Sequence, residues 1–314
     1  MSEAVRVLFM GSPAFAVPSL RALASAGHEI VAVVTQPDRR AGRGGRLTPP
    51  DVKVAAQALG IDVLQPESLK DAELQEQLIA LAPDVTIVAA YGKILPRAVL
   101  AIPKRGNINV HASLLPRWRG ASPIAAAILA GDAETGVSIM EMVPRMDAGP
   151  VITRVAIPIP PDATTGSLEP ELAELGAKTL VDALPRWLSG ELRAVEQDES
   201  QATYCGLVRK EDGHLRAGMT ATEAERMVRA FDPWPGAYVE YRGARLAIWK
   251  AHVEPAPGDH VPGATLVVGR APAVAFREGV LVLDEVQRVG AKRIAGAQFL
   301  NGERGELPPT VGLR

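Results

Sequence analysis

An amide, an imidazole and a carboxylate stand close enough along the chain to form one reactive centre. Asn109 and His111 are separated only by Val110, and Asp147 follows in a short polar stretch that ends in glycine. Two side chains that are two positions apart in an extended strand leave the same face. A carboxamide and an imidazole in this arrangement can converge on one ligand atom, polarise it and manage a proton together with a carboxylate.

Hydrophobic periodicity predicts the elements that must position these side chains. Short apolar runs at residues 5–10, 30–35, 85–90 and 108–110 predict strands, and apolar residues at helical spacing predict helices at 17–26, 52–59 and 71–81. Strands alternating with helices predict an α/β fold, a Rossmann-like parallel sheet with helices on both faces. Ligands bind such sheets at the carboxyl ends of the strands, where Asn109 and His111 stand.

The glycines near the N-terminus do not predict a phosphate-binding turn. Gly11 follows the first predicted strand, but the next residues lack the second and third glycines that let a pyrophosphate approach the backbone. The glycine-rich run at 42–46 lacks the lysine and hydroxyl residue that end a P-loop. A nicotinamide-dependent enzyme is therefore disfavoured.

The pattern of the chain changes near residue 190. A long helix predicted at 166–189 closes the first domain, residues 1–189, and the polar stretch 190–206 is predicted to be a linker. Beyond it, a short helix at 221–231 precedes strand-like runs at 238–241, 245–252, 273–277 and 279–289. Several short strands in succession predict a small OB-like β-barrel as the C-terminal domain, residues 207–314.

Composition is compatible with a two-domain globular protein. The chain has 314 residues, of which 47% are hydrophobic and 22% charged, with a formal net charge of −2. The single cysteine, Cys205, excludes an intrachain disulfide and any zinc site built on several cysteines, and the five histidines are scattered. No run approaches the about 20 apolar residues of a membrane span, so we expect a cytoplasmic protein. We also expect a monomer, and a protein without a metal.

Motifs along essentially the whole length resemble those of the formyltransferases that use 10-formyltetrahydrofolate. The central block runs from NVHASLLP at 109–116 through AGDAETGV at 130–137 to Asp147. The other matching motifs are MGSPAFAVP at 10–18, TQPDR at 35–39, AGRG at 41–44, AYGKILP at 90–96 and FDPWPG at 231–236. The arginine loop and the last third resemble those members of the family that act on methionyl-tRNA.

This resemblance implies a function and a site. The α-amino group of methionine on initiator methionyl-tRNA would attack the formyl carbon of 10-formyltetrahydrofolate, with Asn109 and His111 stabilising the oxyanion and Asp147 orienting the imidazole and relaying a proton. The folate co-substrate would be bound by two segments at strand ends. They comprise Ser113, Leu114, Leu115 and Pro116, and Tyr91, Gly92, Ile94 and Leu95.

Two groups of cations are expected to contact the tRNA phosphates. The loop at 36–50 carries Arg39, Arg40, Arg43 and Arg46 against one acid, so composition favours an exposed, mobile loop, and the resemblance implies an arm that engages the acceptor stem. The predicted barrel carries Lys210, Lys250, Lys292 and Arg293. The residues at 213–217 depart from the family, whose members usually have an Asp-Trp pair there.

Two other functions remain open from the sequence. The same chemistry could serve a small amine, such as an amino sugar or a ribonucleotide, which would need neither the basic loop nor the barrel. A protein that binds RNA without catalysis could also use this scaffold, although the intact Asn109, His111 and Asp147 speak against it.

Overall fold

The computed structural model describes residues 4–41 and 45–314, which form two compact units. The first unit comprises the described residues up to Pro123 together with Glu134–Pro158 and Glu169–Gly206, and the second comprises Ile124–Ala133, Ile159–Leu168 and Leu207–Arg314. Both units are therefore assembled from segments that are distant in sequence.

A seven-stranded sheet forms the centre of the first unit. Its described strands and those of two short ribbons are β1 (Arg6–Gly11), β2 (Glu29–Val34), β3 (Arg39–Ala41), β4 (Arg46–Thr48), β5 (Val63–Leu64), β6 (Val85–Ala89), β7 (Asn107–His111), β8 (Arg119–Gly120), β9 (Glu134–Glu141), β10 (Val151–Pro158) and β11 (Tyr204–Cys205). The order in the sheet is β10-β9-β7-β6-β1-β2-β5.

The predicted parallel sheet is confirmed for the strands that carry the site. β5, β2, β1, β6 and β7 pair in parallel, so their carboxyl ends share one edge. β9 and β10, which the apolar runs did not predict, extend the sheet in the antiparallel direction. The predicted exposed loop at 36–50 differs as well, because β3 and β4 pair into an antiparallel ribbon.

Helices lie where the periodicity predicted them at 17–26, 52–59, 71–81 and 166–189. They are α1 (Val17–Ser25), α2 (Asp51–Ala58), α3 (Ala72–Ala80) and α6 (Thr165–Leu188). Two short helices, α4 (Arg97–Leu100) and α5 (Pro123–Ala130), were not predicted, and α5 belongs to the second unit from Ile124 onward. The buried strand residues Leu8, Met10 and Val88 pack with Leu74 and Leu78 of α3 in one core cluster. This packing fixes the positions of the neighbouring strands relative to one another, and with them the positions of their carboxyl ends.

The second unit is an antiparallel sheet closed into a barrel. Its elements are α7 (Ala221–Ala230), β12 (Ala237–Tyr241), β13 (Ala244–Glu254), β14 (Thr265–Val268), β15 (Ala271–Ala275), β16 (Val280–Arg288), β17 (Ile294–Ala295) and α8 (Gly296–Gly302). The strand order is β12-β13-β16-β15-β14. Gly312 bridges Glu240 of β12, and Thr310 bridges Ala264 ahead of β14, so the last residues of the chain join the two edges.

Residues 213–217, where the sequence departs from the expected Asp-Trp pair, make local packing contacts in the second unit. The ring of His214 stacks on that of Tyr238 with 4.7 Å between centroids, and Leu215 is fully buried. His214 Nε2 also lies 3.2 Å from the Gly312 carbonyl oxygen. The departure in sequence is therefore accommodated by local packing against β12 and the C-terminal segment.

Candidate active site

The end of β7 presents Asn109 and His111 on one face of the sheet. Val110, between them, points to the other face, where α6 approaches its side chain at Gly176. β7 is flanked by β6 and β9, with Asn109 opposite Val88 and Met140. Asn109 is only 9% exposed, and no hydrogen bond from a described residue reaches its carboxamide. A nearly buried amide without a protein partner is suited to a ligand.

His111 is oriented by a backbone carbonyl. Its Nε2 lies 3.0 Å from the Trp118 carbonyl oxygen, an acceptor that requires the proton on this nitrogen. In the neutral imidazole, Nδ1 then has the lone pair, and it lies 3.9 Å from Oδ2 of Asp147. That separation exceeds a hydrogen bond, so the orienting partner is Trp118 rather than Asp147 as the sequence predicted.

Asp147 reaches the imidazole from the connection between β9 and β10, residues 142–150. β9 ends opposite Ile108, and the connection returns the carboxylate to the end of β7. Asp147 has φ +47°, an uncommon value for a residue with a side chain. Its Oδ2 accepts a hydrogen bond of 2.9 Å from the Gly120 amide, which fixes the carboxylate. No residue type or spacing indicates the role of this amide, because it depends on long-range backbone placement.

The segment Ser113–Pro116 is held mainly by Ser138 of β9. Ser138 Oγ donates to the Ser113 carbonyl at 2.7 Å and accepts from the Leu115 amide at 3.1 Å. Arg154 of β10 donates to the Leu115 carbonyl at 2.8 Å. Leu115 is 1% exposed, so its side chain packs beneath the segment and cannot form the apolar wall that the sequence predicted, whereas Leu114 is partly exposed.

The second predicted folate segment follows β6. The Tyr91 carbonyl accepts hydrogen bonds from Gln36 Nε2 at 2.8 Å and Ser12 Oγ at 3.3 Å, and burial raises the pKa of the Tyr91 phenol to about 12. Ile94 is 85% exposed and Leu95 is buried. This segment is thus anchored through backbone and Leu95, while Ile94 remains available for contact.

Comparison with known proteins agrees with this geometry. The family profile described as formyl transferase matches residues 5–184, and the profile of the formyl transferase C-terminal domain matches 207–304. The methionyl-tRNA formyltransferase of Chloroflexus aurantiacus is 51% identical over 302 residues, covering 95% of this chain and 97% of that protein. The chain belongs to the methionyl-tRNA formyltransferase family. The Methylococcus capsulatus relative of the same name is 48% identical, over 95% of this chain and 96% of its own.

Solved structures share the fold at low identity. HypX from Aquifex aeolicus, in complex with tetrahydrofolic acid, has a TM-score of 0.62 and 18% identity over 95% of this chain and 47% of that one. The sugar 3N-formyl transferase WlaRD, in the presence of dTDP and 5-N-formyl-THF, has a TM-score of 0.66 and 15% identity over 92% and 100%. These structures therefore share the fold of this chain.

The described arginines of the predicted tRNA loop lie on the β3–β4 ribbon. Arg39, Arg40 and Arg46 are exposed, whereas Arg43 lies outside the described residues. The start of the ribbon is anchored by Asp38, which binds Lys53 Nζ at 2.8 and 2.9 Å and Gln65 Nε2 at 2.7 Å. The hydrogen bond from Gln65, and then the one from Lys53, lower the pKa of the Asp38 carboxyl.

The four predicted cations of the barrel fall into two places. Lys250 is opposite Glu285 on the neighbouring strand, and Arg293 lies 3.7 Å from Glu285 and 3.6 Å from the centroid of the Trp249 ring. The exposed Lys292 precedes Arg293 directly. Lys210, in contrast, is exposed on the 3-10 turn Lys210–Gly213, whose end packs against Gly236 ahead of β12.

Within 4–41 and 45–314, no three histidine, cysteine, aspartate or glutamate side chains are grouped so as to hold a metal ion. No helix in the same ranges is long and apolar enough to cross a membrane.

Proposed function

We propose that this chain transfers the formyl group of 10-formyltetrahydrofolate to the α-amino group of methionine on initiator methionyl-tRNA. The product, formylmethionyl-tRNA, then initiates translation. The observation that carries the proposal is the nearly buried Asn109 carboxamide, free of protein hydrogen bonds, beside His111 and Asp147 at the carboxyl edge of the sheet. Membership of the family and full-length similarity to named methionyl-tRNA formyltransferases support the same acceptor.

The reaction forms one carbon–nitrogen bond and breaks another. The neutral amine attacks the formyl carbon, the formyl oxygen becomes an oxyanion, and collapse releases tetrahydrofolate when its nitrogen is protonated. Because a methionyl amine has a pKa of roughly 8, a neighbouring group must accept its proton. An atom about 3 Å from both His111 Nδ1 and Asp147 Oδ2 fits beside this pair, which are 3.9 Å apart.

Each side chain then has one task. Asn109 donates a hydrogen bond to the formyl oxygen, where one positioned donor is worth about 3 kcal/mol in the transition state. His111 presents the lone pair of Nδ1 to the reacting atoms because Trp118 holds Nε2, so Nδ1 first receives the amine's proton from Asp147 and then passes it to the departing nitrogen of the folate. Asp147 accepts the proton of the amine, directly or through water.

The binding surfaces are proposed as follows. Leu114, Gly92 and Ile94, which are exposed or partly exposed, contact the folate, while the buried residues of the two segments hold them in place; these are Ser113, Leu115, Pro116, Tyr91 and Leu95. Arg39, Arg40, Arg43 and Arg46 engage the acceptor stem, and Lys210, Lys250, Lys292 and Arg293 track phosphates from the barrel. In this assignment residues 1–189 catalyse, with residues 190–206 packed onto the same unit, and residues 207–314 bind tRNA, in a monomer that acts in the cytoplasm.

A single-turnover assay tests the proposal. Wild-type protein is mixed with initiator methionyl-tRNA and 10-formyltetrahydrofolate, beside His111→Ala, Arg43→Ala and the control His260→Ala, whose histidine is exposed. We expect formylmethionyl-tRNA from the wild type and the control, none from His111→Ala and less from Arg43→Ala. Transfer only to a small amine would overturn the acceptor, and salt-dependent tRNA binding without transfer would leave an RNA-binding protein.

A further inference from the structure

The polar segment after α6 is built into the first unit as a strap across the active-site loops. We use the word strap for residues 195–205. Val195 exchanges hydrogen bonds with Val151 of β10, and β11 pairs in parallel with β8. The Thr203 amide donates to the Pro116 carbonyl at 3.2 Å, and the Arg119 amide donates to the Thr203 carbonyl at 2.9 Å. The strap therefore contacts both the loop after β7 and the loop before β10.

Gln197, in the middle of the strap, is the side chain that contacts the Asp147 loop. Its Nε2 donates to the Asp147 carbonyl at 2.8 Å and to the Gly149 carbonyl at 2.7 Å. Its Oε1 accepts from Arg119 Nε at 3.1 Å and from the terminal NH2 of Arg119 at 2.9 Å. Only this orientation of the amide gives both carbonyls a donor and the guanidinium an acceptor.

Arg119 anchors the other side of Gln197. Its side chain is fully buried and uses its remaining donors on Glu199, at 2.9 and 3.2 Å, and on the Tyr204 hydroxyl at 3.2 Å. With the two bonds to Gln197, the guanidinium makes five hydrogen bonds, all to strap residues. A guanidinium has five N–H donors in a fixed plane, so it is locked in place.

The two loops joined in this way hold the reacting groups. The loop after β7 supplies the Trp118 carbonyl that orients His111 and the Gly120 amide that binds the Asp147 carboxylate. The Asp147 loop supplies the carboxylate itself, from a residue with φ +47°. A residue with a side chain keeps a positive φ only where the surrounding structure holds it. Gln197 binds the carbonyl of Asp147 itself and that of Gly149, two residues later.

We propose that Gln197 is a positioning residue for formyl transfer, which keeps the Asp147 carboxylate in reach of the amine by tying the carbonyls of Asp147 and Gly149 to buried Arg119. The inference rests on the proposed function. The Gln197 amide uses its hydrogen bonds on Arg119 and on two backbone carbonyls of the Asp147 loop, so its effect on the rate passes through Asp147. Substrate affinity should therefore be nearly independent of it.

Two variants of Gln197 test this role. Gln197→Glu still accepts from Arg119 but replaces Nε2, the donor to both carbonyls, by one carboxylate oxygen that faces their oxygens, and Gln197→Met keeps the length without any hydrogen bond. Because a misplacement of about 1 Å in an active site costs about 10²-fold in rate, we expect single-turnover formylation to fall by up to about that factor. The matched control is Glu196→Gln, which changes the exposed neighbouring residue.

Coupling to Asp147 separates positioning from a general loss of structure. If Gln197 acts through Asp147, then in an Asp147→Asn background Gln197→Glu should have almost no further effect. We expect the rate to fall by no more than about twofold further, which is the usual scatter of such a comparison. The dissociation constants for methionyl-tRNA and for the folate should stay within about twofold of wild type. Additive rate losses in the double variant, or an unchanged rate in both single variants, would overturn the positioning role.

The outcomes distinguish this inference from the proposed function. If the wild-type chain formylates no methionyl-tRNA, the proposed function fails, and the positioning role for that reaction fails with it. If the wild type is active but the Gln197 variants lose affinity for a substrate in proportion to rate, the function stands and the inference fails. Thermal unfolding of each variant, compared with Glu196→Gln, shows whether a loss of rate reflects a loss of folded protein.

Discussion

Replacing Gly149 by alanine tests how tightly the Asp147 loop must be held. Gly149 lies two residues after Asp147, and a β-carbon added to it would lie 1.9 Å from the Glu141 carbonyl oxygen and 3.0 Å from the carbonyl carbon. Glu141 belongs to β9, paired with β7 at Ile108, and its own amide donates to the Pro150 carbonyl at 2.9 Å. The obstacle is backbone within a sheet, which cannot yield as a flexible side chain would.

The size of the effect follows from this distance. An ordinary contact begins near 3.4 Å, so the loop must move by about 1.5 Å at residue 149. A shift of that order, passed to Asp147 through two residues, exceeds the about 1 Å that costs about 10²-fold in rate. We expect formylation to fall by at least about 10²-fold, and the free energy of unfolding to fall by about 1–3 kcal/mol, as for overpacked sites.

Single-turnover formylation and urea unfolding measure the two quantities on the same preparations. The matched control is Gly218→Ala, because no atom lies within 4 Å of the β-carbon added there and Gly218 has no positive φ. The control should retain rate and stability within a few tenths of a kcal/mol. If Gly149→Ala keeps the wild-type rate, the carboxylate does not need its observed position, and the argument for Asp147 as proton acceptor collapses.

Three further changes have defined outcomes. Asn109→Ala should slow single-turnover formylation by about 10²–10³-fold at saturating substrates while both substrates still bind, because it removes one donor to the oxyanion. Arg46→Ala should reduce the slope of the logarithm of tRNA affinity against the logarithm of salt concentration by about 0.7–0.9. Arg105→Ala, ahead of β7 at the amino ends of the parallel strands, should leave this slope unchanged. Hydrogen bonds from Arg119 and then Arg145 lower the pKa of Glu199 from 4.5 to about 2, so the ion pairs stabilise the fold above pH 4.5 and are lost towards pH 2. The difference in chemical unfolding between wild type and Glu199→Gln should be constant above pH 5 and vanish as pH falls from 4.5 to 2.

Local patterns were sufficient to predict the sheet and the first two members of the site. Apolar runs of five or six residues identify β1, β2 and β6, and the alternation at Asn109, Val110 and His111 correctly places amide and imidazole on one face. β9 and β10 were not predicted, because Glu134–Glu141 and Val151–Pro158 mix polar with apolar residues; β10 is an edge strand of the sheet and β9 lies between it and β7. Strands of this composition take their pairing from the neighbour rather than from their own sequence.

The parts that the sequence could not predict are set by backbone conformation and distant contacts. Trp118 has φ +61° and turns its carbonyl towards His111, although tryptophan has no preference for that region. Gly120 has φ +121° and lies so close to the Cys205 carbonyl that an added β-carbon would be 2.0 Å away. Neither the spacing of these residues nor their type indicates that they hold the imidazole and the carboxylate.

The burial of Leu115 shows a further limit of reading residue types alone. Two leucines before a proline suggest an apolar wall, but Ser138 and Arg154 bind the backbone of the segment and turn Leu115 inward. A polar substitution at Leu115 would therefore damage packing before it changed folate contacts. Leu114 is the informative position for folate affinity.

The strap also explains how the buried guanidinium of Arg119 can lie near Asp147 without binding its carboxylate. Arg119 precedes Gly120, whose amide binds the Asp147 carboxylate, yet all five hydrogen bonds of the guanidinium go to the strap and its ion-pair partner is Glu199. The ionisable side chain found beside Asp147 is His111, whose Nδ1 lies 3.9 Å from Asp147 Oδ2. An arginine bound to Asp147 would stabilise the carboxylate against protonation and weaken it as a base. Because Glu199 and Gln197 engage the guanidinium, Arg119 has no donor left for the Asp147 carboxylate, which the neutral Gly120 amide holds instead.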